Sequence, residues 1–408
     1  MSFGKMNTDK EERIDYPRMR EYRLKRAKEQ MAKAGIGCLI TWDAWNIRYI
    51  SGNYVTIPLR WVEQMCVILP INGDPYVYGG PSFSIYRLRD EMPWLKGKIY
   101  TPKGIVKTAT TKQAVGGIVS EVARIMDEHG LRKETLGIDG TTSQLLMAEA
   151  FKDANIKVVD AKSTMMEARK IKNQDEIACI RIACSMADAA FADIADAIRP
   201  GVAECELVGI GMKKLYSLGA DETMEFVCVS GPLTNPLRID FTDRLVQPGD
   251  LVVVDINGNS FNGYKSCYYR TFCCGRATAE QKDLYEECRA MMYAGMAGIK
   301  PGNTTWDISK NWPNSPKYWG YEDWLDVGGY AIGHGLGLGL HEDPFVHHML
   351  NQLKTEKLEE GMVFALETWT GKKGGRDGVR LEEMVAVTKD GYELLTHWPV
   401  AELMECWR

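Results

Sequence analysis

The sequence predicts a chain of α/β (α+β) class in two units: an N-terminal α/β unit and a larger unit with an internal pseudo-twofold repeat. Three observations carry that expectation. Across residues 36–160, short runs of branched and aromatic residues alternate with helical patterns and glycine stops. Two segments about a hundred residues apart, AIRPGVAECEL and GIKPGNTTWDI, each read as a helix, a Pro-Gly stop and a polar start to another helix. Apolar strand-like runs around the second of these hold carboxylates: Asp255 ends LVVVD, Glu367 sits in MVFALETW and Glu382 in GVRLEEMVAVT.

The elements follow in order. Residues up to about Arg20 read as a polar arm, and 18–35 as an amphipathic helix stopped near Gly35. CLITW is a strand, followed by a loop, DAWNIRYISGN. QMCVILPI and PYVYGG are strands around an Asn-Gly-Asp turn, a hairpin signal. VGGIVSEVARIMDEHG is a helix with a glycine stop; LGIDG, a helix over 143–154 and IKVVDA complete the first unit. The division falls at 1–164 and 165–408. In the second unit Ile177, Ile180, Cys184, Ala187, Phe191, Ile194 and Ile198 lie on one helical face, and a second helix spans 279–299. Two similar halves facing each other make a cleft, where sites form.

Composition narrows the function. A formal net charge of −5 carries no basic stripe, which argues against a nucleic-acid partner. No stretch approaches the roughly 20 apolar residues of a membrane span. The opening MSFGKMNTDKEERIDY is polar, unlike a secretory signal, and eleven cysteines lack framework spacing, so a cytoplasmic protein with reduced thiols is expected.

Four of the six histidines fall between 334 and 348, beginning in GHGLGLGLHEDP. A histidine in so glycine-rich a turn, His334, is a poor core residue and a good ligand or catalyst. His341 suits general acid/base work because an imidazole titrates near neutral pH. Carboxylates within apolar strands are ordinarily paired, metal-bound or catalytic, which marks Asp255, Glu367 and Glu382. The alternatives are a turn cap for Asp255 and ion pairs with Arg270 or Arg380 for the glutamates. Cys267 is either a ligand or a small thiol filling space.

With GHGLGLGLHEDP, MVFALE, GVRLEEMVAVTKDG, the stretch NIRYISG and the link ARKIKNQDEI, the chain resembles the pita-bread enzymes over nearly its whole length. These are creatinase, prolidase, aminopeptidase P and methionine aminopeptidase. The resemblance implies a creatinase-type N-terminal domain, a pita-bread catalytic domain and a homodimer in which one N-terminal domain completes the neighbouring site. It implies metal ligands at Asp255, His334, Glu367 and Glu382, with Cys267 in place of a second aspartate. The family pattern runs Asp-x-Gly, then Gly-Tyr-x-Ser-Asp-x-x-Arg-Thr. This chain reads Asp255-Ile-Asn257-Gly258, then Gly263-Tyr264-Lys265-Ser266-Cys267-Tyr268-Tyr269-Arg270-Thr271, so Asp255 comes one residue early and Asn257 lies near the first ligand's place. Loss of a bridging carboxylate argues against a dinuclear site. Two readings stay open: one divalent transition metal, iron or zinc if Cys267 is a thiolate ligand, or no metal, as in creatinase.

Two further departures bear on chemistry. Where the peptidases carry a Pro-His on the cleft wall, this chain has Pro236-Leu237, and creatinase's catalytic glutamate falls at Tyr269. The wording SGP-x-TNP around 230–236 resembles the branch of pita-bread lyases that split dimethylsulfoniopropionate, although His341 stands where that branch keeps a carboxylate. The expected function is therefore cleavage of a small carboxylate-bearing or zwitterionic molecule by elimination or C–N hydrolysis. His334, His341 and Glu367 would be catalytic, and Arg60, Trp61 and Trp369 would hold substrate through a guanidinium and aromatic faces. A Xaa-Pro peptidase and a non-catalytic binding member are the alternatives.

Overall fold

The computed structural model describes residues 14–55, 65–79, 82–95, 97–101, 112–141, 143–327 and 331–407. Helix Tyr16–Lys33 starts where the Asp15 carboxylate accepts the Arg18 amide at 3.0 Å, with Pro17 in the first turn. Six strands form the N-terminal sheet: β1 (Ile36–Thr41), β2 (Cys66–Pro70), β3 (Tyr76–Tyr78), β4 (Ile99–Tyr100), β5 (Thr135–Asp139) and β6 (Val158–Asp160), in the order β4-β3-β2-β1-β5-β6. The expected hairpin is the antiparallel pair β2–β3, and β1, β5 and β6 run parallel, with helices Lys112–Glu128 and Gln144–Asp153 connecting them into α/β units. One sequence expectation fails here. DAWNIRYISGN is not a loop, because Ala44–Ser51 is a helix. Asp43 caps it by accepting the Asn46 amide at 2.8 Å, and Ile47, Tyr49 and Ile50 bury one face. Polar residues at both ends of so short a helix mimic a loop.

Helix Lys162–Arg169 leads into the second unit, so the expected 164/165 division falls inside it. Its sheets are β15-β9-β8-β7 and β11-β10-β12-β13-β14. The strands are β7 (Glu225–Ser230), β8 (Leu251–Phe261), β9 (Tyr264–Cys274), β10 (Ala331–Gly335), β11 (Glu342–His347), β12 (Val363–Gly371), β13 (Gly378–Val387), β14 (Tyr392–Leu394) and β15 (Met404–Cys406). β9 lies beside β13, where the Thr271 hydroxyl donates to the Arg380 carbonyl at 2.7 Å and accepts the Arg380 amide at 3.1 Å.

The internal repeat is written into the backbone hydrogen bonds. After helix Gln174–Ala197 the Gly201 amide donates to Val246 O, and Val246 N to Val202 O; after helix Ala279–Met296 the Gly302 amide donates to Leu358 O, and Leu358 N to Asn303 O. Gly249 N then donates to Cys274 O at 2.7 Å, as Gly361 N does to Val387 O at 2.9 Å. Counting from these anchors, the pair Asp255–Tyr269 of β8/β9 corresponds to Glu367–Glu382 of β12/β13, and Asn257–Cys267 corresponds to Trp369–Arg380.

The two units share a core. Met19, Met31 and Leu39 belong to the same apolar cluster as Leu336, Leu338, Leu340 and Met384. Burying each leucine of the GLGLGL run contributes roughly 1.5–3 kcal/mol, which fixes the loop between His334 and His341. Among the described residues no helix is long and apolar enough to cross a membrane.

Candidate metal and active site

Alternation along the strands puts Asp255, Cys267, Tyr269, His334, Glu367, Arg380 and Glu382 on one face. The extra residue after Asp255 is absorbed by a bulge. The β8–β9 register slips between Asn257 and Asn259, leaving Gly258 unpaired at φ +74°. A side chain at 258 would be strained in that conformation and would sit 2.7 Å from the Met224 side chain. Asp255 thus lies opposite Tyr269, and Asn257, two residues on, lies opposite Cys267. The Asn257 amide group donates to Glu225 at 3.1 Å.

His334 is fully buried on β10. Its Nδ1 lies 2.9 Å from the Gly335 carbonyl oxygen, which can only accept, so Nδ1 carries the proton and Nε2 offers a lone pair. Nε2 lies 4.0 Å from Cys267 Sγ, 4.0 Å from a Glu382 oxygen and 4.0 Å from a Glu367 oxygen. Burial holds the imidazole below its usual pKa, so it stays neutral as a ligand must. Gly335 lets β11 approach, since a Cβ there would lie 2.4 Å from the Asp343 carbonyl oxygen.

Charge is the dominant feature. Three carboxylates, Asp255, Glu367 and Glu382, share this buried face with one guanidinium, Arg380, which pairs with Glu367. The ion-pair alternative therefore holds for Glu367, whereas Arg270 pairs with Glu383 at 2.8 Å. Both oxygens of Asp255 and both of Glu382 are buried without a hydrogen bond of ordinary geometry. Burial pushes both carboxyls well above the carboxylate range, and Glu367 pushes each further. The Tyr269 hydroxyl near Asp255 and the Cys267 thiol near Glu382 act in the opposite direction and offset this partially. Burial likewise raises the thiol of Cys267 and the phenol of Tyr269, and the surrounding carboxylates act in the same direction.

Two uncompensated buried carboxylates are costly unless a cation joins them. His334, Cys267 and Glu382 present ligand atoms all within 4.8 Å of one another. These three residues could hold a divalent cation, with Asp255 and Glu367 on the same face.

His341 is exposed, and its ring centroid lies 4.4 Å from that of His334. It faces a cleft of about 510 Å³ between the units, lined on the other side by Asp43, Trp45, Asp139, Asp160 and Lys162. The next residue, Glu342, anchors the loop: it accepts from Arg169 at 2.8 Å, Lys172 at 3.1 Å and the Gly339 amide at 2.8 Å.

Not every expected site residue is brought in. Trp369 is fully buried among apolar residues, with its indole N–H donating to the Thr234 carbonyl at 3.2 Å, so it offers no face to a ligand. Alternation puts Trp369 on the same face as Glu367, but it is covered there, which the sequence pattern does not reveal. Arg60 and Trp61 lie outside the described residues. His348 is buried against Trp306 and Trp324, not displayed in a loop. Sequence reasoning passed over Arg380 as a site residue except as an ion-pair partner, and missed Asp43 and Asp139.

The comparisons agree with this geometry. The model described as metallopeptidase family M24 matches residues 178–389, and that of the creatinase/prolidase N-terminal domain matches 23–171. The Xaa-Pro dipeptidase of Pyrococcus furiosus is 32% identical over 269 residues, covering 64% of this chain and 74% of that protein. The solved prolidase from Pyrococcus furiosus superposes with a TM-score of 0.72 at 25% identity, covering 91% of this chain and 99% of that one. The prolidase from Thermococcus sibiricus does so with a TM-score of 0.76 at 23% identity, over 96% and 99%. Relatives of this kind back the peptidase alternative over the elimination expected above. With five strands converging on a cation-deficient cluster, and with both family models matched in order, the chain belongs to metallopeptidase family M24 and carries a creatinase/prolidase N-terminal domain.

Proposed function

We propose that this chain is a metal-dependent hydrolase that cleaves the C–N bond of small carboxylate-bearing substrates of the Xaa-Pro dipeptide kind. The observation that carries the reading is the convergence of His334 Nε2, Cys267 Sγ and Glu382 within 4.8 Å, beside carboxylate oxygens that have no other partner. His334, Cys267 and Glu382 would hold a single divalent ion, zinc or iron given the sulfur donor, with Asp255 and Glu367 completing the charge. When bound, such an ion supplies Lewis acidity and a water nucleophile at neutral pH. Water adds its oxygen to the acyl carbon, the C–N bond breaks, and the amine leaves with the proton. His341, exposed on the cleft side of His334, moves that proton. Arg380 holds Glu367 in place through their ion pair.

The protein acts as a homodimer in which Arg60 and Trp61 of one copy reach substrate in the other. Arg60→Ala is expected to raise KM for a carboxylate-bearing dipeptide without changing metal content.

The test is elemental analysis of the purified protein together with turnover of Xaa-Pro dipeptides under added zinc, iron, manganese or cobalt. About one equivalent of metal with dipeptide hydrolysis supports the reading. Two equivalents refute the single-ion assignment, and absence of turnover with any metal refutes the hydrolase assignment.

A further inference from the structure

Peptide hydrolysis puts negative charge on the carbonyl oxygen as water adds, and a site that hastens it aims a preorganised donor at that oxygen. Around the carboxylate cluster, the described residues supply few donors. The Arg380 guanidinium is held by Glu367. The proton of His334 on Nδ1 is committed to Gly335. The wall formed by Val227, Val229 and Val253, with Leu233 and Leu237 packed on it, is apolar. One hydroxyl emerges from that wall, because Tyr269 belongs to the same cluster.

We propose that Tyr269 is a catalytic residue, its hydroxyl donating a hydrogen bond to the carbonyl oxygen of the substrate as that oxygen becomes an oxyanion. The inference rests on the hydrolase reading above and names a residue that reading does not use. Three independent observations support it. Tyr269 occupies the rung of β9 opposite Asp255, which is the position that Glu382, a proposed ligand, holds opposite Glu367 in the other half of the repeat. The internal symmetry therefore points Tyr269 at the same centre. Its hydroxyl acts on Asp255 yet closes no bond of ordinary geometry with it, so it is not committed to that carboxylate as Arg380 is to Glu367. Its ring is clamped: the Arg380 guanidinium carbon stands 5.3 Å from the ring centroid on one side, and the valine wall packs on the cluster. A buried aromatic held in this way pays little entropy to present its donor. It also explains how a cleft wall that carries leucine at 237 can still serve an acyl-transfer reaction.

The experiment compares wild type with Tyr269→Phe, which removes the hydroxyl and keeps the ring. Three quantities are read for each protein as purified: metal equivalents, kcat and KM for a Xaa-Pro dipeptide, and the affinity of a phosphinic dipeptide analogue that carries a tetrahedral anion. The expected result is a fall of about 10²–10³-fold in kcat with KM within about threefold, the loss typical of one oxyanion donor. Metal content and melting temperature stay as in wild type, and the phosphinic analogue binds at least about tenfold more weakly. A purely structural tyrosine would shift melting or metal content and leave the kcat-to-KM split untouched. Retained kcat and analogue affinity in Tyr269→Phe overturn the assignment of Tyr269 while leaving the hydrolase standing. A fall in kcat that tracks lost metal overturns it too. If the metal-loaded wild type neither turns over dipeptides nor binds the analogue, the hydrolase reading falls first, and the assignment of Tyr269 with it.

Discussion

Glu342 offers the sharpest test of how the site is held. Its carboxylate is fully buried and receives Arg169 at 2.8 Å, Lys172 at 3.1 Å and the Gly339 amide at 2.8 Å. Burial alone would raise its pKa, but Lys172 and Arg169 outweigh burial and hold it below the ordinary range. Glu342→Gln leaves two buried cations facing an amide. Removing one partner of a buried pair costs about 3–5 kcal/mol. The low end applies, because Arg169 keeps Asn46 and Lys172 keeps the Lys170 carbonyl at 3.3 Å. At about 2.1 cal/mol/K per residue, a chain of this length unfolding as one unit would lose about 3–4 °C in Tm. Differential scanning calorimetry of the purified protein measures it. The sign of the pH dependence follows from the same group. A carboxylate with a folded pKa below its unfolded value stabilises fully above about pH 4 and loses that contribution as pH falls further. The wild-type advantage over Glu342→Gln should therefore shrink on acidification below that range and be constant above it. The triple variant Glu342→Gln/Arg169→Met/Lys172→Met should regain most of the loss, since it removes the stranded charges. A Tm within about 1 °C of wild type for the single variant, or a triple variant less stable than the single, would refute the charge argument.

Other expectations follow from the same geometry. His334→Ala should abolish metal retention, measured by elemental analysis, whereas His341→Ala should keep the metal and lose about 10²–10⁴-fold in kcat. Arg380→Gln strands Glu367 beside Asp255 and Glu382; the expected cost is about 3–5 kcal/mol in denaturant unfolding without metal, with a smaller loss when metal is present. Gly258→Val should destabilise the protein by at least about 1 kcal/mol, because a branched residue opposes a φ of +74° and meets Met224; chemical denaturation reads it.

Much of this was legible in the sequence, for reasons that differ by element. The two helix–Pro-Gly–helix segments are local signals, short enough that chance competed with duplication, and their hydrogen bonds to Val246 and Leu358 bear out the repeat. The carboxylates of β8, β12 and β13 stood out because apolar strands otherwise exclude charge. Three things were hidden. Strand alternation shows which face a side chain takes but not what covers it, so Trp369, on the face of Glu367 and opposite Arg380, was taken for a cleft residue when it is packed inside against Thr234. The one-residue offset of Asp255 could not be resolved without the ladder, because a bulge at a glycine shifts register without changing residue type. The short helix Ala44–Ser51 was missed because its Asp cap and Gly stop bracket too few turns to reveal a period.

The repeat also explains how the site's charge is distributed. Each half places one carboxylate on its first long strand, Asp255 on β8 and Glu367 on β12, and one more polar group opposite it on the next. In the C-terminal half that partner is Glu382, and the rung beyond carries Arg380. In the N-terminal half the same rungs carry Tyr269 and Cys267. The N-terminal half thus contributes a phenol and a thiol where the other contributes a carboxylate and a guanidinium. Because β9 and β13 lie side by side, these unlike contributions meet at the junction of the two sheets. A symmetric pair of carboxylate rungs would hold two cations equally. The asymmetry gathers the Cys267 thiol and the Glu382 carboxylate around His334 and leaves the Tyr269 phenol on the rung of Asp255. Replacing Cys267 by Asp restores an oxygen donor to the N-terminal half. It should raise the metal stoichiometry from about one equivalent toward two if charge asymmetry sets the number of ions, and an unchanged single equivalent would show that it does not.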